Sequence, residues 1–159
     1  AICDGDDLHG VGRQDQLDHA LIDGVILGQQ YAQGGDGPFG LGCAGALSRI
    51  VVEMQPAIDR GDWRSVAERD LAFHTALVAA TGNSRMSRMY ATLAAEARIC
   101  MANLETAYHR PDALVEEHTL LVDLLRAQDW ARLEPALREH MDTAVHDLTA
   151  SLRGSAETA

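Results

Sequence analysis

Lysine is missing altogether: all 13 basic residues are arginine. Against them stand 24 acidic residues, so the formal net charge is −11. A surface this negative repels a phosphate backbone, which makes the chain by itself a poor partner for nucleic acid. Aromatic residues make up only 4%. A core must therefore come from Leu, Ala, Val, Ile and Met, and at 47% hydrophobic over 159 residues there is enough for one domain of ordinary size. No apolar run approaches the roughly 18 residues that a membrane span needs. The opening AICDGDDLHG has no basic leader region, so no secretory signal is expected. Cysteine is scarce: Cys3, Cys43 and Cys100 show no CxxC spacing, which argues against a disulfide framework and a thiolate zinc site. A cytoplasmic protein is the expectation.

What is present divides unevenly. Eleven of the 14 glycines lie at or before Gly45. A stretch such as QGGDGPFGLGCAG is not expected to hold a helix, since each interior Gly costs about 1 kcal/mol relative to Ala. Residues 1–46 admit two readings: a poorly ordered arm, or residues translated out of frame. Residues 47–152 read as the folded domain and 153–159 as a tail.

From Leu47 onward the apolar period is helical. Leu47, Ile50, Val51, Met54 and Ile58 form a first stripe that Gly61 ends, with Asp62 as N-cap of the next helix. That second helix runs to about Ala80 and carries Trp63, Val66, Leu71, Phe73 and Leu77. Thr81-Gly82-Asn83 stops it and starts a third, expected over Arg85 to Tyr108 with Met86, Met89, Leu93, Ala97 and Met101 on one stripe. Pro111 suits the first turn of a fourth helix with Leu114, Leu121, Leu124 and Leu125. Asp129 caps a last one, Trp130 to about Leu152, with Leu133, Leu137, Met141, Ala144 and Leu148. No segment alternates like a strand. The expectation is an all-α, antiparallel bundle of five to six helices with short connections.

The chemistry sits on the apolar stripes. Asp70 and His74 are four apart, so their Cβ atoms share a helix face about 5–6 Å apart, while Phe73 between them points elsewhere. His118 lies beside the Leu face of the fourth helix, and His140 lies between Leu137 and Met141 on the fifth. A histidine directed inward needs partners, because burying an unpaired polar ring is costly. Each residue alone has a plainer account. An inward His can be a hydrogen-bonded core residue, Asp70–His74 a surface pair, and Glu116 and Glu117 a solvated face. Glu117, next to His118, is expected to face away from it. Together, three histidines and an aspartate on three helices are the donor set of a divalent metal site, with core histidines as the alternative. His9, His19, His109 and His146 are not expected to be ligands. His109 sits at a helix end, and His146 is six residues past His140.

Three strings resemble one known family in order. DLAFHTALVAATGN, Asp70 to Asn83, resembles the D-x-x-F-H…(T/S)-G-N signature of the FCD effector domain. EEHTLLVDLLRAQDW resembles that family's E-H segment, and ALREHM its closing (M/L)-x-x-H-(L/M). FCD domains form the C-terminal half of FadR-subfamily regulators in the GntR superfamily. The resemblance covers about 105 residues.

It implies that Asp70, His74, His118 and His140 hold a divalent metal (Zn, Ni, Mn, Co or Fe) whose open positions take a small carboxylate. It implies a homodimer, and contact with operator DNA only through a winged helix-turn-helix that is absent from this chain. That family's first effector helix usually offers an arginine in a Y-E-x-R motif, and residues 1–46 contain none. The resemblance also makes Arg98 and Asn83 candidate ligand contacts, with a solvent-facing arginine and a helix-boundary asparagine as the alternatives. Two readings from other classes stay open: a metal-dependent helical-bundle enzyme (a DinB-like hydrolase or transferase) and a helical dimerisation module with core histidines. With no further general base beside the ligands, the sequence is read as a sensor rather than an enzyme.

Overall fold

The computed structural model describes residues 41–101 and 111–157. Five helices and no strand make up these residues: α1 (Leu41–Asp59), α2 (Trp63–Ala79), α3 (Ser84–Met101), α4 (Pro111–Ala127) and α5 (Trp130–Glu157). The fold is the expected all-α bundle. None of these helices is long and apolar enough to cross a membrane. The readings made for residues 1–40 and 102–110, including the end of the third helix near Tyr108 and the histidines His9, His19 and His109, lie outside the described residues.

α1 starts earlier than its glycines suggest. Gly42 and Gly45 lie inside it, so the expectation that the Gly-rich stretch excludes a helix is corrected over Leu41 to Ala46. The cost of the two glycines is offset by tertiary burial, which contributes most helical stability in proteins. Ala44, Leu47, Val51, Met54 and Ala57 form a continuous buried stripe from the second residue past Gly42 onward. Proline also enters two helices, Pro56 in α1 and Pro135 in α5. Each removes one backbone hydrogen bond four residues back. The carbonyls concerned belong to Val52 and Ala131, both exposed, where water can serve them.

The described connections are tight. At the end of α1, Gly61 N–H donates to Ile58 O (2.9 Å) and Asp62 N–H to Ala57 O (2.9 Å), with Gly61 at φ 64°. This is the paired 5→2 and 6→1 closure that a left-handed residue permits. Asp62 then caps α2 by accepting from Ser65 N–H (3.2 Å). The same closure ends α4: Gln128 N–H donates to Leu125 O (3.1 Å) and Asp129 N–H to Leu124 O (3.0 Å). Here the left-handed residue is Gln128, at φ 53°. A side chain with Cβ is strained there. Gln128→Gly is expected to raise the unfolding free energy by about 0.5–1 kcal/mol, the relief of strain less the added entropy of the unfolded chain. A lower urea midpoint for this variant would contradict it.

α1 packs against α2 and α4, α3 packs on α2, and α5 packs on α4. One core joins them, built from Leu47, Met54, Phe73, Leu77, Leu121, Leu125, Leu133 and Leu137 among others. Arg126 adds a polar tie between α4 and α1, donating to Ser48 Oγ (2.8 Å). Among the α3 side chains described, Tyr90 and Ala94 are the buried ones, and the one described neighbour of α3 is α2. Met89, on the expected stripe, is therefore 55% exposed. Ala144 is exposed as well.

Candidate metal centre

The stripes that face the core also carry its polar residues. On α2, Val66, Asp70, Phe73, His74 and Leu77 are buried in one helical band. His118 lies one turn before Leu121 and Val122 on α4, and His140 one turn after Leu137 on α5. Helical periodicity therefore turns all four polar groups toward one point. His118 is 0% exposed, and Asp70, the most open of the four, is 9% exposed. The four residues each offer a ligand atom, and these atoms all lie within 4.8 Å of one another.

Among the described residues, no Cα of α2 comes within 8 Å of a Cα of α4 or α5. The helices meet here through side chains. His118 Nε2 lies 3.0 Å from Asp70 Oδ1, His74 Nε2 lies 3.5 Å from the same oxygen, and His140 Nε2 lies 3.3 Å from His74 Nε2. The rings surround one another: His74 and His140 stack at 5.3 Å, and His118 meets His140 edge-on at 4.6 Å. The expectation that Phe73 points elsewhere is corrected: it closes the inner wall, with its ring 5.4 Å from that of His74 and 4.4 Å from that of His118.

Protonation decides what this cluster can hold. His118 Nδ1 lies 2.7 Å from Leu114 O, and a carbonyl only accepts, so Nδ1 carries the hydrogen. The ring's other nitrogen, Nε2, is then the edge turned to the cluster, and it can bond a carboxylate only through a hydrogen or a cation placed between them. That nitrogen is buried without a hydrogen-bond partner, and it faces the Asp70 carboxylate. Burial pushes the Asp70 carboxyl up, but His118 and His74 outweigh this and hold it well below the ordinary carboxylate range, so it is an anion at neutral pH. Burial pushes His74 down to about 4, against the pull of Asp70 and with the help of its neighbouring imidazoles, so His74 is neutral there. Ring nitrogens and a buried anion thus converge on one spot. Positive charge between them offsets the cost of the buried carboxylate. A proton on one edge serves two atoms; a divalent cation serves all four. The donor set fits a metal ion.

The FCD domain family matches residues 44–143 of this chain. The chain belongs to the FCD family. FCD domains are the effector domains of GntR-family regulators. No curated protein and no solved structure matches the chain.

Within this FCD domain, the four residues that the sequence singles out as ligands are brought together. Asn83 and Arg98 are both exposed. Asn83 begins α3, with its Oδ1 accepting from Met86 N–H (3.1 Å), so the helix-boundary role is realised. His146 is exposed on α5 and lies outside the cluster.

One functional contact escapes the sequence reading. Glu117 was expected on a solvated face turned away from the site, and this is corrected: its Oε2 lies 2.9 Å from His140 Nδ1. Stepping back one residue from His118 rotates the side chain about 100° around α4, which still leaves it aimed at α5. Glu116, one residue further back, is exposed as expected. The available signal was chemical rather than periodic, because a metal-binding histidine commonly donates its second nitrogen to a carboxylate.

Proposed function

We propose that this FCD domain is the metabolite-sensing part of a FadR-subfamily regulator, with Asp70, His74, His118 and His140 as ligands of one divalent metal and a small carboxylate as its effector. The observation that carries this reading is the buried His118 Nε2, which has no hydrogen-bond partner and lies 3.0 Å from the Asp70 carboxylate. One carboxylate and three imidazoles suit Zn, Ni, Mn, Co or Fe(II). A metal held there supplies positive charge and open positions for an anion.

In this reading Asp70 and His74 contribute from α2, His118 from α4 and His140 from α5, so an effector joining the same centre links α2 to the packed pair α4 and α5, which α2 otherwise meets through side chains. A signal follows only if the effector binds one bundle geometry better than another. Two copies pair as a homodimer, and a winged helix-turn-helix outside residues 44–143 reads the operator. Arg98 and the amide NH2 of Asn83, whose oxygen is engaged as a cap, are the proposed polar contacts for the effector.

Metal analysis with thermal shift tests the proposal on the purified chain. The expected result is one divalent ion per chain, together with a rise in Tm with one or more small organic acids that vanishes once the metal is chelated. At a hundred-fold excess over Kd, such a ligand adds about 2.7 kcal/mol. A chain that neither retains a divalent metal nor takes one up when it is offered would overturn the reading.

A further inference from the structure

The three imidazoles of the cluster are supported unequally. His118 Nδ1 donates to Leu114 O within its own helix. His74 Nδ1 is buried with no partner. His140 Nδ1 faces Glu117 Oε2 at 2.9 Å, across 23 residues of chain. An ionised carboxylate only accepts, so the hydrogen of this bond belongs to His140 Nδ1. That leaves Nε2, the nitrogen turned toward His74 and Asp70, as the lone-pair donor.

We infer that Glu117 is the positioning residue of the centre: it holds His140 in the tautomer and orientation that offer Nε2 to the cation. The inference rests on the metal reading above and deepens it. Its observation is separate, a carboxylate–imidazole bond outside the ligand set.

Two features distinguish this from a merely structural contact. The Glu117 side chain is 36% exposed whereas that of His140 is 5% exposed, so the bond reaches from the surface to a buried ring. Shortening Glu117 therefore opens no cavity in the core. Glu117 also adjoins His118, so α4 supplies one ligand and the support of another, which ties the α5 ligand to the helix it packs on. A carboxylate behind an imidazole also strengthens its donor nitrogen, and loss of such partners typically weakens metal binding about 10- to 100-fold.

The test uses the full chain with zinc as the probe, in Glu117→Ala, Glu117→Gln and the control Glu116→Ala. Zinc affinity is read by competition with a chelating dye. The tautomer of His140 is read from ring-nitrogen NMR shifts in the metal-free protein. Glu117→Ala is expected to lose about 10- to 100-fold in zinc affinity, and its His140 is expected to leave the Nδ1–H form. Glu117→Gln keeps an acceptor oxygen and recovers most of the affinity, and Glu116→Ala binds as the wild type does. Wild-type zinc binding that Glu117→Ala leaves unchanged overturns the inference, and so does an unaltered His140 tautomer. A wild-type chain that binds no zinc overturns the metal reading itself, a result distinct from either.

Discussion

His118→Ala is expected to abolish metal binding, lowering affinity by more than the roughly 100-fold that marks the upper range for losing a supporting contact. His118 is the most deeply buried of the four clustered residues, and its Nε2 has no hydrogen-bond partner to retain. The substitution also leaves a void beside Phe73, whose ring lies 4.4 Å away. By analogy with other large-to-small changes in cores, that void costs roughly 2–4 kcal/mol even without metal. Two effects are thus superimposed, and they can be separated. Melting both proteins with chelator gives the packing loss alone. Restoring metal should stabilise the wild type and leave the variant unmoved. Asp70→Asn provides the second arm, because it keeps the side-chain volume and removes the anionic donor. It is expected to lose metal with little change in packing. If both variants still bound a stoichiometric divalent ion, the four side chains would not be the metal's ligands.

The four-residue cluster was legible because the same period that buries a helix face also aims its polar members. Asp70 and His74 fall in step with Val66 and Leu77, His118 with Leu121 and Leu125, and His140 with Leu137. Reading each helix separately was enough to direct four donors inward. What that reading could not supply is how the helices rotate against one another. Glu117 shows this: on α4 alone it points away from His118, yet α5 lies in that direction and brings His140 to it. Local propensity misleads in a related way at Gly42 and Gly45, where the cost of glycine is real but smaller than what α1 gains by burying Ala44 and Leu47. Gln128 gives no sign in sequence of its left-handed backbone, since the closure there is imposed by where Asp129 must begin α5. Met89 fails for want of a described neighbour on its side of α3, a property of the assembled bundle rather than of the helix.

Mild acid should weaken the metal-free protein through His74. Burial holds its imidazolium back until about pH 4 in the folded chain, against an ordinary value of 6.5. Above about 6.5 the ring is neutral whether the chain is folded or unfolded, and it contributes no slope. Between 6.5 and 4 the unfolded chain binds a proton that the folded chain refuses, so stability falls as pH falls. The gap corresponds to roughly 3 kcal/mol once pH 4 is passed. Asp70 acts in the same direction but lower on the scale. Its folded carboxyl is held well below the usual range, so its stabilisation is intact above about 3.8 and is lost as pH falls toward its folded value. Urea unfolding of the chelated protein from pH 7.5 to 4.5 spans the His74 window and stops short of that of Asp70. His74→Gln should flatten the decline there, since glutamine does not titrate. A wild-type decline that persists undiminished in His74→Gln, or no decline at all, would mean that His74 does not resist protonation in the folded chain. With metal bound the same acid range acts a second time, because protons compete for the imidazole nitrogens. The loaded protein should therefore begin more stable and lose more between pH 7 and 4.5 than the chelated one.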